Sequence, residues 1–194
     1  MKVIQAGMGG MGEVWMRAVM ASIDVEHAGF VEIDEDISAK QMAAHGLNGK
    51  LDFKSLGEAL DSVKADDLID VTPPQFHQEN SLIVLDAGVP VLSEKPLANS
   101  RMFALSIVEK SNQTGVLRMV TQNYRYRSSN QTLKQALYTQ GLGAIGSVTV
   151  DFFRGPHFGG FREEMPYPLI IDMSIHHFDL MRFFGKRPCL RHWL

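Results

Sequence analysis

The chain has 194 residues, of which 45% are hydrophobic and 21% are charged, and its net charge is −3. This composition is typical of a globular protein, and the small negative charge argues against nucleic-acid binding. A single cysteine, Cys189, excludes an internal disulfide framework and favours a cytoplasmic protein. We expect no signal peptide, because the first residues already read as a strand, and no membrane span, because no apolar run approaches about 18 residues.

Short apolar strands and helices alternate along the first 121 residues. One helix is predicted after the glycines that follow the first strand, ending at about residue 22, and others over 38–45, 56–63, 78–87 and about 101–114. Ser55 caps the third helix and either Asn99 or Ser100 caps the fifth. Six strands that alternate with helices predict a doubly wound parallel sheet of the α/β class. The strands are predicted over residues 2–6, 25–33, 51–53, 68–71, 89–93 and 116–121.

The composition changes after residue 121, where residues 123–127 are polar and aromatic. We therefore predict a domain boundary there, with one domain over residues 1–121 and a smaller α+β domain over 122–194. The second domain is predicted to contain a helix over 129–139, a strand over 147–154 and a helix over 169–184.

A glycine-rich turn, Gly7-Met8-Gly9-Gly10-Met11-Gly12, connects the first strand to the first helix. This position between a strand and a helix is the one in which G-x-G-x-x-G binds a dinucleotide. Gly7 permits the tight turn, Gly9 lets the backbone approach a pyrophosphate, and Gly12 lets the helix pack closely on the strand. Gly10 and Met11 complete this candidate cofactor-binding turn, and the helix that follows offers unpaired N–H groups to the phosphates. The alternative is a glycine-rich turn that binds no ligand.

Glu32 lies 20 residues after Gly12, at the end of the second predicted strand. A carboxylate at this place binds the ribose hydroxyls of NAD. Asp34 is the alternative if the strand ends two residues later, and a solvated acidic loop is another. NAD is favoured over NADP, because a 2′-phosphate would meet four carboxylates and no arginine. The four are Glu32, Asp34, Glu35 and Asp36.

Two further turns follow the fourth and fifth predicted strands, Thr72-Pro73-Pro74 and Glu94-Lys95-Pro96. Ligands of an open α/β sheet bind outside the carboxyl ends of its strands. Both turns should therefore border the same crevice as the glycine turn, and Lys95 should face a bound cofactor. Taken alone, Lys95 could equally be a surface lysine before a turn.

Four motifs follow one another along the chain: the glycine turn, Thr72-Pro73-Pro74-Gln75-Phe76-His77, Glu94-Lys95-Pro96 and Asp172-Met173-Ser174-Ile175-His176-His177-Phe178-Asp179. In this order they resemble the motifs of the Gfo/Idh/MocA family of oxidoreductases, and the resemblance covers nearly the whole chain. It implies an NAD-dependent dehydrogenase that transfers a hydride between the cofactor and a CH–OH group of a sugar, cyclitol or related polyol. It also implies that Lys95 exchanges the hydroxyl proton and that the bond before Pro96 is cis.

The resemblance also implies roles for individual residues. Asp172 and His176 meet the substrate beside Lys95, and Asp179 shares their helical face because the spacing is i, i+4, i+7. A metal site is not expected, because these side chains come from one helix. Arg125 and Tyr126 are candidate pocket residues, with domain packing as the alternative. Residues implied on the cofactor side are Thr72, Pro73, His77, Glu94, which orients the lysine, and Lys95.

Members of this family continue well beyond 194 residues, with a second domain of several strands that commonly builds an oligomer interface. The chain thus resembles a member truncated at its C-terminus, and its residues 185–194 do not resemble the family's next strand. We expect exposed apolar surface at Phe152, Phe153, Phe178 and Phe183, and self-association as its consequence.

Two other functions remain open from the sequence. A non-catalytic NAD or sugar sensor could use the same scaffold. A methyltransferase also pairs a glycine-rich turn with an acid after the second strand, although it has no role for Glu94-Lys95-Pro96.

Overall fold

The computed structural model describes residues 1–47, 51–139, 141–153, 159, 162–163 and 165–185. The chain divides into two compact units, Met1–Thr121 and Gln122–Leu194. Within the described ranges, no helix is both long enough and apolar enough to cross a bilayer.

A parallel sheet organises the first unit. Its strands are β1 (Lys2–Ala6), β2 (Glu26–Val31), β3 (Asp52–Phe53), β4 (Asp67–Asp70), β5 (Val91–Ser93) and β6 (Arg118–Val120). They pair in the order β3-β2-β1-β4-β5-β6, and every pair is parallel. The strand order reverses between β1 and β4, which is the switch point where doubly wound folds bind ligands. The predicted fold class of this unit is confirmed.

Five helices connect these strands, namely α1 (Gly10–Met20), α2 (Glu35–Ala44), α3 (Leu56–Ser62), α4 (His77–Asp86) and α5 (Arg101–Thr114). Asp34, Ser55 and Ser100 accept hydrogen bonds from the first turns of α2, α3 and α5 and so set where these helices begin. Helix α2 begins earlier than predicted because Asp34 caps it. Of the two caps predicted for α5, Ser100 is the one used.

The core of the first unit surrounds β1 and β4, whose side chains are buried on both faces of the sheet. Ile4 and Leu68 on these strands pack with Val84 of α4, Val91 of β5 and Ile107 of α5. Full burial of such an aliphatic side chain stabilises the folded state by about 1.5–3 kcal/mol. This packing fixes the carboxyl ends of β1, β4 and β5, where the candidate site residues lie.

Helices make up the regular structure described for the second unit. A 3₁₀ helix (Asn123–Tyr126) precedes α6 (Ser128–Thr139), and a π-helical segment (Leu169–Met173) leads into α7 (Ser174–Phe184). The prediction of one α-helix over 169–184 is therefore wrong for its first five residues. The N–H and the hydroxyl of Ser174 both donate to the carbonyl of Leu169, five residues earlier, and this stabilises the wider turn.

The strand predicted over 147–154 is not found at residues 147–153, and residue 154 lies outside the described residues. A strand forms only beside another strand, and the described part of this unit contains none. Phe153 is 90% exposed and Phe178 is 56% exposed, as predicted. Phe152 and Phe183, for which exposure was also predicted, are half-buried. The prediction for the tail concerns residues 186–194, which also lie outside the described residues.

Candidate functional site

The three glycines of the predicted fingerprint differ in what surrounds them. Gly7 has φ +92°, and a Cβ there would lie 2.8 Å from the carbonyl of Val71. A Cβ on Gly12 would lie 2.4 Å from the carbonyl oxygen of Gly7. A Cβ on Gly9 would meet no protein atom within 4 Å. Close packing against backbone atoms thus explains why positions 7 and 12 carry glycine. Gly9 instead leaves open space beside the N-terminus of α1, where an anion can bind.

Gln5 supports the glycine turn from inside the sheet. This side chain is fully buried on β1, and its amide donates to the carbonyls of Gly7 and Gly12, each at 3.0 Å. Its own oxygen lies 3.1 Å from Nε2 of His27. Gln5 thereby joins the two ends of the turn. Sequence reasoning missed it, although a glutamine in the apolar run 3–6 was a usable signal.

Glu32 lies directly after β2 and is 9% exposed. Its Oε2 accepts a hydrogen bond from the N–H of Met8 at 2.8 Å, and its Oε1 accepts one from the N–H of Asp34 at 3.1 Å. A carboxylate can accept about four hydrogen bonds, so capacity for ribose hydroxyls remains. The carboxylate of Asp34 instead accepts from the N–H groups of Asp36 and Ile37 and caps α2. Of the two sequence candidates, Glu32 is therefore the one bonded to the glycine turn.

The turn after β5 is attached to α1 through Glu94. Its Oε1 accepts from the indole N–H of Trp15 at 3.0 Å, and its Oε2 accepts from the backbone N–H of Lys95 at 3.2 Å. The N–H of Glu94 donates to the carbonyl of Asp70 at 2.8 Å. The bond between Lys95 and Pro96 is cis, as the resemblance implied. Trp15 was not identified from the sequence, since only the fold brings it to Glu94.

His77 joins the two proline-containing turns. It is the first residue of α4 and is fully buried. Its Nδ1 lies 2.7 Å from the carbonyl oxygen of Pro96, and its Nε2 lies 2.9 Å from that of Thr72. Thr72 in turn donates its N–H and its hydroxyl to Oδ1 of Asp70, at 3.1 and 2.6 Å. The carboxyl ends of β4 and β5 are thus connected through one imidazole ring.

Arg118, on the edge strand β6, holds the chain just after Pro96. Its Nη2 donates to the hydroxyl of Ser93 at 2.9 Å and to the carbonyl of Leu97 at 3.2 Å. Burial lowers the pKa of Arg118 to about 10, while the charge of Asp70 acts in the opposite direction. The guanidinium therefore stays charged at neutral pH. No motif marked this residue in the sequence.

In the second unit, Asp172 and His176 are both almost fully buried, at 2% and 5% exposure. The ring of Tyr124 stacks on the ring of His176, with centroids 4.1 Å apart and planes inclined by 5°. Oδ2 of Asp172 accepts a hydrogen bond from Nε of Arg162 at 2.9 Å. Tyr124 therefore contacts His176 and Arg162 contacts Asp172, and neither Tyr124 nor Arg162 was identified as a site residue from the sequence.

Arg125 and Asp179 form an ion pair within the same unit. Nε of Arg125 donates to Oδ2 of Asp179 at 2.6 Å, and Nη2 donates to Oδ1. This pairing raises the pKa of Arg125. Tyr126 is 73% exposed. Within the described residues, no group of three or more His, Cys, Asp or Glu side chains is arranged to hold a metal ion.

A sequence model of the Gfo/Idh/MocA oxidoreductases, which describes their NAD-binding Rossmann fold, matches residues 1–122. The chain belongs to this family. The matched residues contain the glycine turn, Glu32 and the Glu94–Pro96 turn, so the first unit is the NAD-binding Rossmann fold of a Gfo/Idh/MocA protein.

Individual relatives agree with this membership. Inositol 2-dehydrogenase of Leifsonia xyli subsp. xyli is 28% identical over 198 residues, which cover 95% of this chain and 54% of the relative. An uncharacterised protein of Sinorhizobium fredii is 31% identical over 199 residues, covering 97% of this chain and 54% of the relative. The chain spans about half the length of these curated relatives.

A solved structure shows the same fold. The WlbA dehydrogenase of Bordetella pertussis, determined with NADH and UDP-GlcNAcA, superposes with a TM-score of 0.82 at 24% identity. The superposition covers 95% of this chain and 55% of that protein.

Proposed function

We propose that the first unit binds NAD and that the protein transfers a hydride between this cofactor and a CH–OH group of a sugar, cyclitol or related polyol. The observation that carries the proposal is the arrangement at the carboxyl ends of β1, β2 and β5. There, Gly9 leaves open space beside the N-terminus of α1, the buried carboxylate of Glu32 accepts a hydrogen bond from the glycine turn, and the turn of Lys95 is attached to α1 through Glu94. The inositol dehydrogenases among the relatives support the substrate class.

The residues of the first unit fit a dinucleotide. The N–H groups of Gly10 and Met11 at the start of α1 would bind the pyrophosphate over Gly9. Glu32 would accept hydrogen bonds from ribose hydroxyls through its remaining lone pairs. Thr72 and Pro73 would form the adjacent border of the crevice, and His77 would support that border from inside through the carbonyl of Thr72. Bound NAD would supply the hydride acceptor.

Lys95 would take the hydroxyl proton as the hydride leaves the same carbinol, so that a carbonyl product forms and charge balances. Glu94 would hold the lysine backbone toward α1 while the side chain acts. Asp172 and His176 would hydrogen-bond substrate hydroxyls, with Arg162 holding the carboxylate of Asp172 through a hydrogen bond and Tyr124 fixing the plane of the imidazole. We propose that Arg125, Tyr126 and Asp179 support this second group of residues.

We also propose NAD rather than NADP as the cofactor. The carboxylates of Glu32, Asp34 and Asp36 would repel a 2′-phosphate. Glu35 belongs to the same acidic group, and its exposed carboxylate lies 3.5 Å from Nζ of Lys54, whose charge is thereby balanced.

Replacement of the lysine tests the proposal. Lys95→Met should bind NAD with an unchanged Kd and lose turnover by about 10²- to 10⁴-fold, because general acid–base catalysis contributes that much. Lys64→Met, which changes an exposed lysine before β4, is the matched control. NADH formation is followed by absorbance over a panel of inositols and sugars.

Turnover of Lys95→Met close to that of the unchanged chain would contradict the assigned role. An unchanged chain that binds NAD but turns over nothing in the panel would favour the sensor. We further propose a cytoplasmic location and self-association through the exposed Phe153 and Phe178, which sedimentation at increasing concentration would detect.

A further inference from the structure

The imidazole of His77 has an arrangement that a neutral ring cannot satisfy. Both ring nitrogens face backbone carbonyl oxygens, that of Pro96 at 2.7 Å and that of Thr72 at 2.9 Å. A carbonyl oxygen only accepts hydrogen bonds, and a neutral imidazole has only one N–H to donate. In the neutral ring, one nitrogen lone pair would therefore face an oxygen lone pair at hydrogen-bond distance. Only the doubly protonated ring donates to both carbonyls.

We infer that His77 is an imidazolium in the folded protein and that it positions Lys95 by holding the carbonyls of Thr72 and Pro96 together. Both bonds are charge-assisted and therefore stronger than neutral ones. They are also shielded from water, because His77 is fully buried. The assignment to Lys95 rests on the proposed function, whereas the protonation state rests on the hydrogen-bond geometry alone.

The ionisable groups near this ring include a counter-charge for it. Asp70 is fully buried at the end of β4, and its carboxylate bonds Thr72, whose carbonyl faces the ring. Arg118 of β6 shares the region as a second cation and binds the carbonyl of Leu97. The remaining ionisable side chains on the elements packed against His77 are Asp67 of β4, Glu94 and Lys95 of the β5 turn, exposed Glu79 and Asp86 of α4, and Arg101, Glu109 and Lys110 of α5, of which Lys110 pairs with Asp86.

The two hydrogen bonds from His77 to the carbonyls of Thr72 and Pro96, called the clamp below, matter because of the position of Lys95. On one side of the lysine, Glu94 is bonded to Trp15 and to the carbonyl of Asp70. On the other side, Pro96 is bonded to His77. When rising pH removes one proton from His77, one of the two carbonyls loses its donor, so the clamp is complete at lower pH and weakens at higher pH. His77 is a positioning residue, since it acts through the backbone of Lys95.

Nitrogen-15 NMR of the histidine rings measures the protonation state directly. The chain contains seven histidines, and His77 is identified by the signals that disappear in His77→Gln. If that variant does not fold, correlation from the His77 backbone to its ring in the unchanged chain gives the same identification. We expect both ring nitrogens of His77 to carry protons at pH 7. A neutral tautomer at pH 7 would overturn the inference.

Kinetics test the positioning role. His77→Gln should keep the Kd for NAD and the KM for substrate within about threefold and lower kcat at least tenfold. It should also lose the decline of kcat that the unchanged chain shows at the pH where NMR detects deprotonation of His77. His45→Gln, at the end of α2, is the control and should match the unchanged chain. An unchanged kcat or an unchanged pH profile in His77→Gln would overturn the positioning role. If the unchanged chain shows no NAD binding and no turnover, the proposed function is wrong, and the NMR result still decides the protonation state.

Discussion

Alanine substitutions at Gly9 and Gly12 distinguish a glycine that the cofactor requires for binding from a glycine that the fold requires for stability. At Gly12, the new Cβ would lie 2.4 Å from the carbonyl oxygen of Gly7 and 2.9 Å from its carbon. Both neighbours are backbone atoms, so the turn must shift, and overpacking of this kind costs about 1–3 kcal/mol. Gly12→Ala should therefore lower the free energy of unfolding by that amount and weaken NAD binding together with it.

Gly9→Ala should behave differently. Its φ of −65° suits alanine, and the new Cβ would meet no protein atom. Stability should be unchanged or raised by up to about 1 kcal/mol, because alanine restricts the unfolded chain. The methyl group would occupy the space that the pyrophosphate needs, and we expect the Kd for NAD to rise at least tenfold, or about 1.4 kcal/mol.

Urea unfolding and calorimetric titration with NAD measure both quantities on the same preparations. A Gly9→Ala variant that folds normally and binds NAD as tightly as the unchanged chain would refute the assignment of this space to the cofactor. A Gly12→Ala variant of unchanged stability would refute the packing argument.

Three other substitutions test separate parts of the account. Glu32→Gln should weaken NAD binding about tenfold and narrow the preference over NADP, since it removes a carboxylate beside the glycine turn; equal effects on both cofactors would count against a ribose contact. Trp15→Phe removes the N–H that binds Glu94 and should lower kcat severalfold at unchanged stability, so an unaffected kcat would show that this bond does not position Lys95. Burial raises the pKa of Asp67 to about 6, above its unfolded value, so ionisation of this carboxyl costs stability in full above pH 6 and nothing below about pH 4. Asp67→Asn should therefore be more stable by about 1 kcal/mol at pH 7, an amount reduced from about 3 because the carboxyl is partly solvated, and no more stable at pH 4, which thermal unfolding at both pH values checks.

The sequence reveals those parts of the site whose function depends on local spacing. The glycines, Glu32 and the turn of Lys95 each follow a strand, and the sheet brings strand ends together, so the pattern alone places them in one crevice. Trp15 escapes such reasoning, because no local pattern relates it to Glu94. The partner of Trp15 is 79 residues away along the chain, and only the packing of α1 against the β5 turn makes that contact.

The second unit shows the other limit of sequence reasoning. Residues 147–153 have the alternation of a strand, but a strand also needs a neighbour, and alternation carries no information about one. The wide turn at 169–173 depends on the hydroxyl of Ser174 bonding to Leu169, a local contact that the helical period does not reveal. Asp172 and His176 are both buried, although Asp172 lies within the wide turn and His176 lies in α7.

Calorimetric titration of NAD into the 194-residue chain tests the central claim most directly. We expect saturable binding of one NAD per chain, with NADP bound more weakly. An absence of binding at millimolar NAD, or tighter binding of NADP, would contradict it.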